Sequence, residues 1–419
     1  MAPAAPTLLG SPPPITDRIA LGALTRTFPP ELVDQVIQQT GRAEQRRRLL
    51  PARVVVYFVL ALALYGQVAY EEVMRCLVEG LGWARQARRG RRSWPYWHVP
   101  GASALVEART RLGPEPLGVL FAKAVRPLAT AATRGAWYRN WRLLILDGTC
   151  LDVPDSPANQ VFGRSKSGRG EGVGAFPQVR VVGLVEAATH AIVDAVQGSY
   201  GSGEQTLARQ LAHDCGPLGP GALVLADRLF TGGELWQVMA GTGADLVWRV
   251  KCGSTTAPKL PVDQVLADGS WLSRIYARSD RHQRRHPITV RVIEYTLGDP
   301  GRRTSTDRYR LVTTICDPTA APAHELAALY TERWEVETAL AELKTTQRGP
   351  RQVLRSRSPE LVAQEVWAHL RHPLIRRAFG RLQIRPGPVD TATLPGHGSA
   401  KVRTIAKLVM TWVAASGER

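Results

Sequence analysis

Three acidic residues occur where they could bind metal ions together. Asp147 ends the apolar run WRLLILD, Asp227 ends GALVLAD, and Glu337 lies in the segment YTERWEVETALAELKTTQR. Three carboxylates brought close together repel one another unless they are protonated or bridged by a cation, and oxygen ligands suit Mg²⁺ or Mn²⁺. Two such ions roughly 3.5–4 Å apart can stabilise the attacking and leaving oxygens of an in-line phosphoryl displacement. The three acids therefore predict cleavage and transfer of phosphodiester bonds.

The segment that contains Glu337 is predicted to be a helix with one polar stripe. At about 100° per residue, four side chains fall within roughly 60° of one another: Tyr330, Arg333, Glu337 and Lys344. We expect Glu337 to bind metal, and Arg333 and Lys344 to hold substrate phosphates on either side of it. Tyr330 would add a hydrogen bond to a phosphate. Alternatively, Arg333 and Lys344 only pair with other acids of the same helix, which would stabilise it slightly and serve no function.

The order of the predicted elements explains how the acids could meet. Apolar runs, turns and helical spacing predict strand, strand, strand, helix, strand, helix, strand, an insertion and a helix over residues 141–348. This is the order of the ribonuclease H-like fold, an α/β fold whose first strand lies beside and parallel to its fourth. In that arrangement Asp147 and Asp227 come together, and the last helix adds Glu337. A lone Asp after a strand is often only a turn or cap former, so the matching positions of the two acids matter.

The charge of the chain indicates the kind of partner. Its 419 residues include 54 Lys and Arg but only 36 Asp and Glu, a formal net charge of +18. Such an excess favours a polyanionic partner, with nucleic acid first and an anionic membrane surface second. The longest apolar run, VVVYFVLALALY, has about 12 residues, which predicts a buried helix rather than a membrane span. We therefore expect a nucleic-acid partner and no membrane partner.

Cysteine usage and the N-terminal segment indicate the compartment. The five cysteines are far apart, odd in number and form no C-x-x-C, which argues against a zinc ribbon and against a disulfide framework. The stretch MAPAAPTLLGSPPP has no basic part followed by an apolar one, so no secretory signal is predicted. We expect a reducing cytoplasm.

We predict three parts of the chain. Residues 1–135 are expected to form a helical N-terminal domain that binds DNA, because the basic runs RAEQRRRLL and ARQARRGRRSWPYWHVP offer cations for phosphates and, in the second run, aromatic rings for bases. The alternative for the second run is a solvated loop whose aromatic rings pack on the core. Residues 136–385 are expected to form the catalytic domain, interrupted by a β-rich insertion at about residues 251–310, and residues 386–419 a C-terminal tail.

Several motifs together resemble one known family. The spacing Y-x2-R-x3-E-x6-K resembles the signature of the insertion-sequence-four family of bacterial DDE transposases. LDGTCLDVPDSPAN and LVLADRLF are similar to its two aspartate regions, and YRLVTTICDP and VLRSRSPELVAQEVWAHL to its C-terminal half. FPPELVDQVIQQTG and SALVEARTRLG are similar to the helical domain that often precedes this catalytic core. The resemblance covers about residues 20–380.

This resemblance implies a DNA transposase of a bacterial insertion sequence, which binds terminal inverted repeats, cuts its element out and joins it to target DNA. It implies that Asp147, Asp227 and Glu337 are the catalytic residues and bind Mg²⁺ or Mn²⁺, as two ions. Three residues would accompany them as DNA phosphate contacts: Tyr330, Arg333 and Lys344. The insertion would help to handle the DNA end. The partners would be double-stranded DNA of the element ends and of the target, and a second copy of the chain, in the cytoplasm at the bacterial nucleoid.

Three other functions stay open from the residues alone. A carboxylate pair could serve a glycosidase, although the basic charge favours a phosphate substrate. An inactive or domesticated descendant of a transposase could bind DNA without cutting it. A host nuclease of the same fold could cut DNA without joining it.

Overall fold

The structure is a computed structural model. It describes the following residues: 24–46, 48, 50–65, 68–86, 99–166, 173–214, 216–252, 257–280, 282–297, 307–332 and 353–370. They form two compact units, which divide between Leu120 and Phe121. We call the described residues up to Leu120 the N-terminal unit and those from Phe121 onward the sheet unit. Within these ranges, no helix is both long enough and apolar enough to cross a bilayer.

Between Pro30 and Ala124 the described residues form five helices and no strand. The helices are α1 (Pro30–Gln39), α2 (Ala52–Leu64), α3 (Tyr70–Gln86), α4 (Ala102–Leu112) and α5 (Glu115–Ala124). Helix α2 is apolar except for Arg53, and 10 of its 13 residues are buried, which confirms the buried helix predicted for this run. Tyr57 at its centre donates its hydroxyl hydrogen to the carbonyl oxygen of Phe28 at 2.6 Å.

Eleven strands form one sheet in the sheet unit. They are β1 (Trp137–Tyr138), β2 (Trp141–Asp152), β3 (Arg164–Lys166), β4 (Val173–Glu186), β5 (Ala191–Ser199), β6 (Ala222–Ala226), β7 (Asp245–Val250), β8 (Gln264–Val265), β9 (Trp271–Ile275), β10 (Ile288–Leu297) and β11 (Asp307–Thr313). The apolar residues of β2, β4, β6 and β7 are largely buried and belong to the hydrophobic core.

The pairing of the strands follows the predicted order. Strand β2 pairs antiparallel with β4 on one side and parallel with β6 on the other. Strand β5 pairs antiparallel with β4, and β7 pairs parallel with β6. Helices α6 (Glu204–Asp214) and α7 (Gly233–Gly241) lead into β6 and β7, because a parallel neighbour needs a crossover connection. The first long strand therefore lies beside and parallel to the fourth, in a mixed α/β fold consistent with a ribonuclease H-like core.

Strands β8, β9 and β10 of the predicted insertion, and β11 at its end, extend this same sheet. Strand β11 pairs with β7, and β10, β9 and β8 follow in that order, all antiparallel. The sequence predicted β10 and β11 but not β8 and β9, which have two and five residues and so carry little alternation. Two further described helices come after β11: α8 (Ala323–Glu332) and α9 (Pro359–His369).

Strand β2 is longer than the sequence predicts. The apolar run stops at Asp147, but β2 continues because β4 goes on pairing with it as far as Asp152 and Gln178. Pairing with β6 stops at Leu146 and Ala226. Asp147 therefore lies inside β2, at the level where the parallel neighbour ends, and not at the end of its own strand.

Candidate active site

The parallel pair of β2 and β6 places two of the predicted acids side by side. Leu146 pairs with Ala226, and both are buried. Asp147 and Asp227 are the next residues, and the backbone of Asp227 stays extended, with φ −82° and ψ 178°. Neighbouring strands lie about 4.8 Å apart, and residues at matching positions point to the same face. The two carboxylates therefore occupy adjacent positions, and both side chains are partly exposed.

Each of these carboxylates accepts a hydrogen bond from nearby backbone. Oδ1 of Asp147 accepts from the N–H of Gly148 at 2.8 Å, and Oδ1 of Asp227 accepts from the N–H of Leu229 at 2.8 Å. The second bond makes Asp227 the N-terminal cap of a short 3-10 turn, Arg228–Phe230, so the local role common for a lone Asp is present. Oδ2 of Asp227 has no hydrogen-bond partner within the described ranges, and it is able to bind a cation.

A third acid, which the sequence analysis did not single out, lies close to Asp147. An added Cβ at Gly148 would be 2.9 Å from Cδ and 3.0 Å from Oε1 of Glu204, so this carboxyl group packs directly on Gly148. Glu204 begins α6 and is partly exposed. A Glu in the first turn of a helix is common because the helix dipole favours it there. Only the packing of α6 on β2 distinguishes this one, and no sequence signal could have found it.

Of the other four predicted site residues, the structure describes only Tyr330. Glu337, Arg333 and Lys344 lie outside the described residues, as does the predicted helix beyond Glu332. Within the part of the chain that is described, no three His, Cys, Asp or Glu side chains are grouped so that they could hold a metal ion. The structure thus brings Asp147 and Asp227 together and leaves the third predicted acid undescribed.

Tyr330 lies near the end of α8 and is buried, with 5% of its surface exposed. Its hydroxyl donates a hydrogen bond to the carbonyl oxygen of Ala226 at 3.2 Å. Ala226 is the last residue of β6 and directly precedes Asp227. In this structure the hydroxyl hydrogen of Tyr330 is therefore used within the protein, and its predicted contact with a DNA phosphate stays a prediction.

Residues of the predicted insertion hold the start of α8. Asp268 accepts a hydrogen bond from the N–H of Ala323 at 3.0 Å and forms an ion pair with the buried Arg291 of β10. Arg291 also donates to the carbonyl oxygen of Ala321 at 2.6 Å and to Oγ of Ser270 at 2.7 Å. Burial alone raises the pKa of Asp268, but the hydrogen bonds from Ser270 and Ala323 and the charge of Arg291 outweigh it, and the pKa is lowered.

The end of β1 and the turn after it contact the same end of α8. Glu325 accepts hydrogen bonds from the hydroxyl of Tyr138 at 2.7 Å and from Nη2 of Arg139 at 3.1 Å. The bond from Tyr138 is the main cause that lowers the pKa of Glu325. Burial, followed by this same bond, raises the pKa of Tyr138 to about 12. The helix that leads towards Glu337 is thus fixed to the sheet unit at its first turn and again at Tyr330.

The N-terminal unit contains a basic cavity of about 430 Å³, which is open to solvent. Four arginines line it: Arg42, Arg46, Arg48 and Arg111. Arg42 donates to Oε2 of Glu115 at 3.0 Å. The other three have no ion-pair partner within the described ranges. One acid, Glu44, also lines the cavity, and it accepts a hydrogen bond from the N–H of Ala52. Three of the four come from the predicted basic run RAEQRRRLL, whereas most of the second basic run lies outside the described residues.

Two family models match the chain. Residues 18–122 match the insertion element 4 transposase N-terminal domain, and residues 141–371 match the transposase DDE domain. The second match covers more than half of the chain and contains both Asp147 and Asp227. It also contains the segment of the Y-x2-R-x3-E-x6-K signature.

Relatives and a solved structure are similar over much of the chain. The chain is 26% identical over 358 residues to the transposase InsG for insertion sequence element IS4 of Escherichia coli, covering 84% of this chain and 75% of the relative. It is 23% identical over 240 residues to the putative transposase InsZ of the same organism, covering 56% and 72%. A cryo-EM structure of the piggyBac transposase synaptic complex with hairpin DNA matches with a TM-score of 0.46 and 9% identity, over 86% of this chain and 75% of that one.

Both family models therefore match this one chain, and the N-terminal model comes first. The N-terminal match and the DDE-domain match together cover most of the residues from 18 to 371. DDE domains of this kind catalyse DNA transposition, generally with divalent metal ions. The chain belongs to the insertion-sequence-four family of DDE transposases, and it is a DNA transposase.

Proposed function

We propose that Asp147, Asp227 and Glu337 form the catalytic triad of this transposase and bind divalent cations between them. The observation that carries the proposal is the register of β2 and β6, which pairs Leu146 with Ala226 and so sets the two aspartates side by side. Glu337 completes the triad by its place in the Y-x2-R-x3-E-x6-K signature.

The two described acids suit a divalent cation bound through oxygen. They are adjacent and partly exposed, and Oδ2 of Asp227 meets no protein donor among the described residues. Like charges at neighbouring positions favour a bridging cation, and hard carboxylate oxygens favour Mg²⁺ or Mn²⁺. We assign two such ions to the complete triad. When bound, they would activate water and offset negative charge on the reacting phosphate.

The proposed reaction is cut-and-paste transposition of a bacterial insertion sequence. Water breaks a phosphodiester bond at the element end and frees a 3′-hydroxyl. This hydroxyl then attacks a phosphodiester of the target, a new bond forms between element and target, and the 3′-oxygen of the target strand leaves. Arg333 and Lys344 hold DNA phosphates on either side of the reacting one, because charged hydrogen bonds to phosphate are strong and directional.

The N-terminal unit is assigned to the terminal inverted repeats of the element. Its basic cavity presents Arg46, Arg48 and Arg111 without acidic partners in the described ranges. Guanidinium groups bind phosphate in a two-pronged geometry and release counterions from DNA, which gives affinity that falls with salt. Because one element has two ends to join, the DNA-bound complex contains at least two copies of the chain. The assigned compartment is the cytoplasm, at the nucleoid.

Metal-dependent cleavage of DNA that carries the element ends tests the catalytic assignment. The inverted repeats are first identified in the DNA that flanks the gene. We expect the protein to cut these ends with Mg²⁺ or Mn²⁺ and to join them to target DNA, and we expect Glu337→Gln to lose both activities while it still binds the DNA. Wild-type cleavage by Glu337→Gln would refute the triad. Cutting without joining would indicate a nuclease, and specific binding without cutting an inactive descendant.

A gel-shift titration at several salt concentrations tests the assignment of the cavity. The double variant Arg46→Ala, Arg48→Ala should weaken binding to the element ends and lower the slope of log affinity against log salt by about 2, one for each lost phosphate contact. Arg53→Ala is the matched control, since Arg53 is an exposed arginine of α2 that pairs with Asp34 and does not line the cavity. Equal binding by the double variant and the wild type would exclude the cavity from DNA recognition.

A further inference from the structure

The first turn of α6 contacts the 3-10 turn that follows Asp227. Nε2 of Gln205, the second residue of α6, donates a hydrogen bond to the carbonyl oxygen of Leu229 at 2.8 Å. Leu229 lies in the turn that Asp227 caps, and its N–H donates to Oδ1 of Asp227 at 2.8 Å. The backbone of Leu229 is therefore held at both of its polar groups, by the acid at one and by the side chain of Gln205 at the other.

The other hydrogen bonds of this turn are local. The N–H of Phe230 donates to the carbonyl oxygen of Asp227 at 3.2 Å, and the hydroxyl of Thr231 donates to the carbonyl oxygen of Arg228 at 2.7 Å. Among the hydrogen bonds that the described residues make with this turn, only the one from Gln205 comes from another element, 24 positions away in the chain. It is therefore the hydrogen bond that fixes the turn against α6.

The amide of Gln205 occupies the space that the missing side chain of Gly232 leaves. A Cβ added at Gly232 would collide with Oε1 of Gln205 and would lie 3.2 Å from its Cδ. Gly232 directly precedes α7, and its backbone is extended, with φ −144° and ψ 133°, a conformation that alanine also adopts. An alanine here would therefore fit the backbone and displace the flexible end of Gln205.

The fixed turn determines which oxygen of Asp227 is offered to a cation. Oδ1 accepts the N–H of Leu229, whereas Oδ2 has no hydrogen-bond partner within the described ranges. A carboxylate that is already held in one orientation binds a metal ion more tightly than one that must be ordered on binding, because ordering costs entropy. Residues that orient a metal ligand without contacting the metal therefore contribute to its affinity.

We infer that Gln205 is a positioning residue, which holds the backbone of Leu229 and, through it, the carboxylate of Asp227 in the orientation that binds a divalent cation. The inference rests on the proposed function, in which Asp227 is a metal ligand. Gln205 contacts neither the cation nor the DNA. Its loss should lower the affinity for the cation and leave the affinity for DNA unchanged.

Gln205→Met tests this inference, because it keeps the length of the side chain and removes the donor. Mn²⁺ binding to the full-length protein without DNA is measured by titration calorimetry, and DNA affinity without metal by gel shift. We expect the Mn²⁺ dissociation constant to rise about fivefold, as the loss of one hydrogen bond suggests. The Mn²⁺ concentration for half-maximal cleavage should rise by a similar factor, and the DNA affinity should stay within about twofold.

Gly232→Ala removes the same contact from the other side. It should raise the Mn²⁺ dissociation constant by a factor similar to that of Gln205→Met. Because both changes act on one amide, the double variant should bind Mn²⁺ within about twofold of either single variant. If the effect of the double variant is instead the product of the two single effects, the residues act separately and the inference is overturned.

Gln197→Met is the matched control. Nε2 of Gln197 also donates to a backbone carbonyl of another element, that of Ala363 in α9, at 3.3 Å. Gln197 lies on β5, which β4 and β2 separate from β6. Its loss should leave Mn²⁺ binding unchanged, with at most a lower melting temperature. If Gln205→Met behaves in the same way, Gln205 only stabilises the fold and the inference is overturned. Weaker DNA binding by Gln205→Met, with normal Mn²⁺ binding, would also overturn it.

Asp227→Asn separates this inference from the proposed function. Loss of Mn²⁺ binding by Asp227→Asn, with normal Mn²⁺ binding by Gln205→Met, would overturn the positioning role and keep Asp227 as a metal ligand. Normal Mn²⁺ binding and cleavage by Asp227→Asn would overturn the triad and, with it, the role of Gln205.

Discussion

Two regions of the same sheet contain acidic residues in contrasting surroundings. Glu186, at the end of β4, is fully buried and accepts hydrogen bonds from the N–H groups of Leu128 and Ala129 at 2.8 Å each. It also accepts from the hydroxyl of Thr189 at 2.6 Å and forms an ion pair with Arg142. Asp147 lies within β2 and Asp227 directly after β6, and the side chains of both are partly exposed.

The comparison shows what separates a structural acid from a candidate metal ligand. The protein itself neutralises Glu186, because an arginine and three neutral donors surround its two oxygens. The hydrogen bonds that Oδ1 of Asp147 and Oδ1 of Asp227 accept come from backbone one or two residues away, and no arginine of the described ranges forms an ion pair with Asp227. A buried charge needs partners, whereas an exposed pair of like charges has most to gain from a cation.

The largest expected effect is the loss of activity when a candidate ligand becomes neutral. Asp147→Asn and Asp227→Asn should each lower the rate of end cleavage by at least about two to three orders of magnitude, since metal-ion catalysis supplies several kcal/mol. The melting temperature should stay close to that of the wild type, because asparagine keeps a side-chain oxygen that can accept the same backbone hydrogen bonds. Single-turnover cleavage and thermal melting measure the two quantities. Cleavage above a tenth of the wild-type rate in either variant would contradict the role of that aspartate as a metal ligand.

Glu186→Gln should lower the stability of the protein and leave its cleavage activity unchanged, the opposite of the two aspartate variants. The new amide N–H₂ would face backbone N–H donors, and Arg142 would lose its buried partner, so the free energy of unfolding should fall by about 3 kcal/mol. Urea titration measures this loss, with Asp34→Asn as the control. Asp34 pairs with Arg53 at the surface, and its loss should cost less than about 1 kcal/mol. Cleavage by the folded fraction of Glu186→Gln, measured at low temperature, should match the wild type.

Asp268 is a structural acid whose pKa is lowered in the folded protein, so its contribution to stability should depend on pH. A lowered folded-state pKa contributes stability that is present above the unfolded pKa of about 4 and is lost as pH falls through the folded value. The melting temperature of Asp268→Asn should therefore lie below that of the wild type at pH 5 to 7, and the difference should shrink below about pH 4. A difference that stays constant from pH 7 to pH 3 would contradict this assignment.

The smallest expected effect concerns Glu204, which shares features with both the structural acids and the candidate metal ligands. It is partly exposed like the candidate ligands, and it packs on the residue after Asp147. Glu204→Gln should raise the Mn²⁺ concentration needed for half-maximal cleavage by about fivefold or less, since one charge at about 4 Å contributes about 1 kcal/mol in water. Gly148→Ala should act in the same direction, because its Cβ would displace the Glu204 carboxyl group. Unchanged Mn²⁺ dependence in both variants would place Glu204 with the structural acids.

Sequence reasoning found the neighbouring aspartates because a simple pattern encodes them. Each follows a short apolar run, and a strand buried on both faces must be apolar throughout its paired length. It placed Asp147 at a strand end, where the structure has it inside β2, since the continued pairing with β4 leaves no apolar run to detect. It also missed β1, β3, β8 and β9, which are two to five residues long and exist only through their pairing partners.

The sequence alone determined the order of the longer strands and helices, the family, and the places of Asp147 and Asp227 after their apolar runs. These follow from local patterns of apolar residues and from motifs, which need no knowledge of distant contacts. Three sets of contacts arise only in the folded protein: Glu204 packs on Gly148, Asp268 and Arg291 hold the start of α8, and the hydroxyl of Tyr330 donates to the carbonyl oxygen of Ala226. Each of these contacts joins residues that are 23 to 104 positions apart, and such pairs meet only when the whole sheet unit has folded.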